Sequence, residues 1–377
     1  MSHHDRNSPQ LPAGAFFALL AVSALGVDFM VDSYDAAAHC GPSGYLAAGL
    51  ACVLILPMLS IIFLLRKHFP GANLLDISRQ VLGGPLAVAG NLIFLLPFYS
   101  WFVLTIRAIG DLLAGYLLEQ TPIWVITAAF LPGVIYLAFH GLKAVSRLAA
   151  FILIPTVFIR FLLWMLALPN GSIDHLLPVF SNPFMDYLKG GIGLSNVFLP
   201  FATIFLIYPL LEEKKDSAQA RQTGGLAKPI WGAYGLSSFF FLLAICETIA
   251  IFGADTTTKF FVPTMEAIRM INFHYIIIEE AGLLFLIVWL TTYYTSISYY
   301  LQTVAHGIGQ IFPRIKYNWA VIGLGVVAWI CGLFIPNSFI VVNWFIQLRK
   351  WVMWPAIIYP FIIYLIAVIT GKRGVHR

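Results

Sequence analysis

Charge is what this 377-residue chain has least of. Asp, Glu, Lys and Arg make up 10% of it, against a hydrophobic share of 60% and a mean hydropathy of +0.87. A soluble domain carries roughly a quarter charged residues. So few charges cannot cover a water-soluble surface of this size, and the apolar excess must face lipid. Soluble-enzyme motifs are missing as well. The chain has no phosphate-binding P-loop, no HExxH zinc pair and no GxSxG elbow. GGIG at 190–193 has no βαβ context and is not a dinucleotide fingerprint. Lack of a nucleotide site argues against an ATP-driven pump. A lipid-modifying membrane enzyme would need a compact His/Asp/Glu constellation, which the sequence also lacks. No enzymatic activity is expected. The four cysteines, Cys40, Cys52, Cys246 and Cys331, are scattered without a CxxC. They read as small apolar residues, so neither metal nor cofactor is expected. The net charge of +5 sits between apolar runs, where it sets topology, and does not point to nucleic acid.

What the chain does have is long apolar runs. They lie at 12–35, 43–65, 84–113, 122–139, 146–168, 190–211, 228–252, 275–304, 319–335 and 345–370. A helical span needs about 20 such residues. Barrel strands would be about ten residues long and alternating, which these are not. The expected protein is therefore all-α and integral to the membrane, with about ten spans. The first run is too long for a signal-peptide core and reads as a permanent helix. With both termini in the cytoplasm, the inner side holds Arg6, Arg66, Lys67, Arg79, Lys143, Arg147, Lys214, Lys215, Arg221, Lys228, Arg314, Lys316, Lys372, Arg373 and Arg377. The outer side holds Lys189, Lys259, Arg269, Arg349 and Lys350. Fifteen against five obeys the positive-inside rule. The expected division is a cytoplasmic tail at 1–11, a transmembrane domain at 12–370 and a cytoplasmic tail at 371–377. Short helices are expected in the loop 66–83 and from Pro263 within 253–274.

Two spans look discontinuous. The first reads SALGVDFMVDSYDAAAHCGPSG, with Gly26 at mid-span and Asp28, Asp32 and Asp35 on one helical face. The sixth opens KGGIGLSNVFLPFATIF, where Gly190, Gly191 and Gly193 precede Ser195, Asn196 and Pro200. Transporters with two inverted halves place broken helices at corresponding positions and bind substrate between them. Spans one and six are five apart, as a five-plus-five repeat requires. The competing reading is close helix packing at small residues. A charge within the bilayer costs about 2.5–3.5 kcal/mol on insertion scales and so faces a counter-charge or a cavity. Arg160 on span five lies at the depth of Asp28 or Asp32 and is a candidate counter-charge for either. Arg107 and Asp111, four apart on span three, should pair along one face. Glu247, Glu279 and Glu280 read as a solvated rim. Tyr99, Trp101, Trp289, Tyr293 and Tyr294 lie deep in spans three and eight, where they can wall a pocket. The expected ligand site joins Ser23, Gly26, Val27, Asp28, Gly191, Gly193, Ser195 and Asn196 with Tyr99, Trp289 and Tyr293.

Several segments together resemble one family. They are HGLKAVSRLAAFILIP at 140–155, LLPVFSNPFMDYLKGG at 176–191, FATIFLIYPLLEEKKDSAQA at 201–220, and IAIFGADTTTKFFVPTMEAIRMINFHYIIIEEAGLLFLIVWLTTYY at 249–294. They are similar to the permease-like B subunit of bacterial spore germination receptors, within the amino acid–polyamine–organocation transporter superfamily. The resemblance implies a LeuT-like fold with spans one and six broken. It implies a subunit that binds, or also translocates, a small nutrient germinant such as an amino acid. Its implied companions are an A subunit and a lipoprotein C subunit at the spore inner membrane. Relatives often carry Gly-x-Gly in span one; here Gly26 matches the first glycine and Asp28 stands at the second. A carboxylate there favours a cationic group on the ligand. A free-standing H⁺- or Na⁺-coupled amino acid or amine transporter is the alternative, with Asp28 as coupling group.

Overall fold

The computed structural model describes residues 11–26, 32–211, 226–260, 262–270, 281–335 and 338–372. Among them every regular element is a helix. Span one comprises α1 (Ala13–Gly26) and α2 (Asp32–Cys40), and span two α3 (Gly44–Leu54) and α4 (Leu56–His68). α5 (Leu74–Leu82) is the helix expected in the first long loop. Spans three to five are α6 (Gly84–Tyr116), α7 (Ile123–Phe139) and α8 (Gly141–Ala167). Span six runs through α9 (Phe184–Leu194), α10 (Leu199–Ala202) and α11 (Ile204–Ile207). Span seven is α12 (Ala227–Phe252), followed by the short α13 (Ala254–Thr257) and α14 (Pro263–Arg269). Spans eight to ten are α15 (Ala281–Ile311), α16 (Tyr317–Leu333) and α17 (Ser338–Ile369). Six described helical runs are long and apolar enough to cross a membrane, and shorter apolar helices fall at 13–26, 123–139 and 317–333.

Local chemistry sets several of these ends. Asn73 caps α5 by accepting from the Asp76 backbone N–H at 2.9 Å. Pro57, in the first turn of α4, has no N–H to continue the ladder from α3. Gly253, at φ +73°, closes α12 with its N–H on the Ile249 carbonyl at 2.8 Å. The prolines inside α6, α7, α8 and α17 are tolerated because neighbouring helices can satisfy the freed carbonyls.

The packing repeats between the two halves. Span one packs on span five, and span six on span ten. Span one meets span seven as span six meets span two. Span eight packs on spans five and four as span three packs on spans ten and nine. Each of these contacts has its counterpart with five added to, or taken from, the span number. That is the signature of two inverted five-helix units. Burial ranks the spans accordingly. The most apolar stretch of span six is 94% buried, while those of spans five and ten are 33% and 39% buried. Span six is therefore central, and spans five and ten offer most of their surface to lipid.

Candidate ligand site

The sixth span loses its α-helical ladder where the sequence turns polar. α9 ends at Leu194, and a 3-10 turn, Ser195–Phe198, leads to α10, whose second residue is Pro200. Three glycines bring this region close to its neighbours. A Cβ on Gly190 would lie 3.0 Å from the Ala47 Cβ, and one on Gly191 would lie 3.2 Å from the Ala47 carbonyl oxygen. A Cβ on Gly193 would lie 3.3 Å from a carboxylate oxygen of Asp35. The first two glycines serve the contact between α9 and α3; the third lets span one's carboxylate reach the break.

The turn itself packs on α1. Asn196 lies in it with no exposed surface, and neither its amide oxygen nor its nitrogen makes a hydrogen bond within the described residues. Ser23, on α1, is also buried, and its hydroxyl makes no hydrogen bond among the described residues. Such a group costs about 1–3 kcal/mol when it stays unsatisfied. Ser195 differs, since its hydroxyl donates to the Ile192 carbonyl at 2.7 Å.

At the other end of span one, Asp32 and Asp35 are both buried beside an arginine from span ten. The Arg349 guanidinium lies 3.0 Å from Asp32 and 3.9 Å from Asp35. All three residues are less than 5% exposed. His39, one turn beyond Asp35, lies 3.5 Å from its carboxylate. On the α1 side, Arg160 of span five donates to the Leu25 carbonyl. Ser296 of span eight donates to the Val22 carbonyl at 3.3 Å. The helices meet here without room for a side chain on Gly26, whose Cβ would fall 1.9 Å from the Ser296 hydroxyl.

Spans three and eight contribute buried aromatics. Trp289 and Tyr293 stack obliquely with ring centres 5.0 Å apart. The Tyr293 hydroxyl donates to the Thr105 carbonyl at 2.6 Å, tying span eight to span three. Trp101 is fully buried against Phe345, ring centres 5.1 Å apart. Neither the Trp101 nor the Trp289 indole N–H finds a hydrogen-bond acceptor among the described residues.

The sequence matches the family described as "Spore germination protein" over residues 10–340. The chain belongs to that family. Among its curated relatives, the Bacillus subtilis spore germination protein B2 is 21% identical, over 94% of this chain and 95% of its own. Spore germination protein YndE of the same organism is 21% identical, over 72% and 73%. Spore germination protein GerLB of Bacillus cereus is 23% identical, over 87% and 85%. Among solved structures, the nucleobase-cation-symport-1 transporter Mhp1 in a closed conformation gives a TM-score of 0.67 at 17% identity, over 94% of this chain and 78% of its own. MhsT in complex with L-phenylalanine gives 0.63 at 15% identity, over 95% and 99%. These likenesses establish a multi-pass membrane protein of LeuT-like fold, with paired five-helix halves and spans one and six discontinuous.

In this spore germination permease the residues expected at the site separate into three groups. Ser195 and Asn196 lie in the span-six turn that packs on α1, Gly193 lies beside Asp35, Ser23 and Gly26 lie on α1 with Gly26 against Ser296 of span eight, and Trp289 and Tyr293 are buried on span eight, Tyr293 bonded to span three. Val27 and Asp28 lie outside the described residues, as do Glu279 and Glu280. The remaining expectations are corrected. Gly191 packs against Ala47 and Leu50 of α3, because the two helices cross closely there. Tyr99 turns toward span nine, where its hydroxyl donates to the Leu324 carbonyl at 3.2 Å. Trp101, two residues on, faces the interior instead. The anticipated Asp32–Arg160 pair does not form. Asp32 meets Arg349, and Arg160 meets the end of α1 because it approaches from span five on that side. Arg349 was expected at the outer rim, since it adjoins Lys350 at the start of the last apolar run. The helix begins earlier, at Ser338, and draws Arg349 inside. Two cations in one turn of an apolar stretch were the available signal. Arg107 and Asp111 pair at 3.0 Å as expected, and Arg107 also donates to the Gly332 and Ile335 carbonyls.

Proposed function

We propose that this chain is the permease-like subunit of a spore germinant receptor and binds a small nutrient germinant, such as an amino acid, between spans one and six. The observation that carries this is the pair of buried polar side chains without partners among the described residues, Asn196 on one broken span and Ser23 on the other. A ligand with donors and acceptors would complete both. Trp289 and Tyr293 would wall it from span eight. The nearby Asp32–Asp35–Arg349 cluster carries one carboxylate more than it has guanidinium groups, which suits a ligand with a cationic amine. Asp28 would add to that preference. The expected companions are a receptor A subunit and a C lipoprotein subunit in the spore inner membrane. Both termini are assigned to the cytoplasm by the positive-inside count.

The test is a binding screen of labelled amino acids and amines against the purified full chain, with Asn196→Ala and Ser23→Ala alongside. A germinant that binds wild type and loses at least about tenfold affinity in either variant supports the reading. Unchanged affinity in both removes it. The fold alone equally suits a free-standing H⁺- or Na⁺-coupled amino acid or amine transporter. Uptake by proteoliposomes holding this chain without companions would favour that alternative.

A further inference from the structure

Spans three, nine and ten leave a groove that the candidate ligand site does not use. Span three packs against both of the others and floors the space between them. Ser100 and Val103 form the floor, Cys331 one wall, and Trp344, Gln347 and Trp351 the other. The Tyr99 hydroxyl, on the Leu324 carbonyl at 3.2 Å, ties this floor to span nine. The groove encloses about 510 Å³, and no Asp, Glu, Lys or Arg lines it. A hydrocarbon core of about 30 Å takes about 20 helical residues. Counted from Gly84 and Ile369, their ends on the side of the chain termini, spans three and ten leave that core near Leu104 and Lys350. Span nine ends close by, at Leu333. The groove therefore straddles the edge between acyl chains and headgroups in the leaflet opposite the termini. Trp and Tyr favour this level. Trp344 and Trp351 are 51% and 68% exposed, on one face of span ten. That face continues through Trp354, Ile358, Phe361 and Leu365, all exposed, so the groove runs into the lipid-facing stripe of span ten. An ionised ligand would find no counter-charge in this lining. A protein helix about 10 Å across would fill the volume in about one turn, too short a contact to hold it. A slender acyl chain fits along its length.

We infer that this groove binds an acyl chain of a phospholipid from the leaflet opposite the termini, with the Gln347 amide donating to the lipid's ester carbonyls. The lipid site is separate from the ligand site between spans one and six, so either can fail while the other stands.

The experiment is photolabelling of the full chain in phosphatidylethanolamine–phosphatidylglycerol vesicles. The probe is a phospholipid with a diazirine midway along one acyl chain, and the labelled residues are mapped by mass spectrometry. Phe158, exposed on span five at a similar depth, reports contact with bulk lipid. Label on Val103, Cys331 and Leu348 should exceed that on Phe158 by at least about fivefold, the mark of a held lipid over a passing one. Ser100→Trp fills the groove and should bring its label down to the Phe158 level. Val103→Trp fills it from the next turn and decides the matter should the Ser100 variant fail to fold. Groove label no denser than that on Phe158 would overturn the inference. So would an excess that survives in a folded variant. Label on Phe158 with none in the groove would also overturn it and favour a protein partner there.

Discussion

Span one and span six occupy equivalent places in the two halves, yet they solve the same problem with opposite chemistry. Span one is charged. Asp32 and Asp35 face Arg349, and the end of α1 faces Arg160. Span six carries no described charge between Gly190 and Leu211. Its discontinuity is a 3-10 turn closed by side chain–backbone bonds, such as those from Ser195 to Ile192 and from Thr203 to Pro200. The two arginines come from spans five and ten, which are themselves equivalent, and both converge on span one. The difference teaches that one half supplies charge and the other a neutral polar surface. A site between them is electrostatically asymmetric although the fold is nearly symmetric.

That comparison can be broken at several points. Arg349→Ala should have the largest effect. It leaves two carboxylates buried without their guanidinium, at a cost of about 3–5 kcal/mol. Thermal unfolding in detergent would show it, and Asp32→Asn in the same chain should recover part of the loss. Recovery of nothing would mean that Arg349 acts by packing alone. Gly26→Ala comes next, because its methyl would collide with Ser296. Overpacking of this kind costs about 1–3 kcal/mol, and the same unfolding assay measures it. An unchanged Tm would mean that α1 and α15 can separate. Tyr99→Phe removes one bond to a span nine carbonyl and should cost about 1 kcal/mol. Germinant affinity should not move, since Tyr99 faces away from the junction of spans one and six. Asn196→Ala should have the smallest effect on stability, near zero or slightly positive, because the amide has no partner among the described residues to lose. Loss of germinant binding at unchanged Tm would sharpen the contrast with span one, where charge changes lower stability first.

Much of this was readable from residue order. Long apolar runs name the spans, and the Asp28–Asp32–Asp35 spacing names a face. Asp32 and Asp35 do share a counter-charge, as that face implies. Arg349 was hidden because a hydropathy window starts a helix where apolar residues begin, whereas the helix starts seven residues earlier. Tyr99 and Trp101 were indistinguishable by depth. Only the packing of span nine against span three turns one outward and leaves the other inside.

By itself the sequence determined a multi-span helical membrane protein and the two spans that break, because lipid demands apolar length and because Gly, Pro and Asp interrupt it visibly. The tertiary structure decided which arginine meets which acid. Charges separated by more than three hundred residues pair through the geometry of crossing helices, and no local pattern records that geometry.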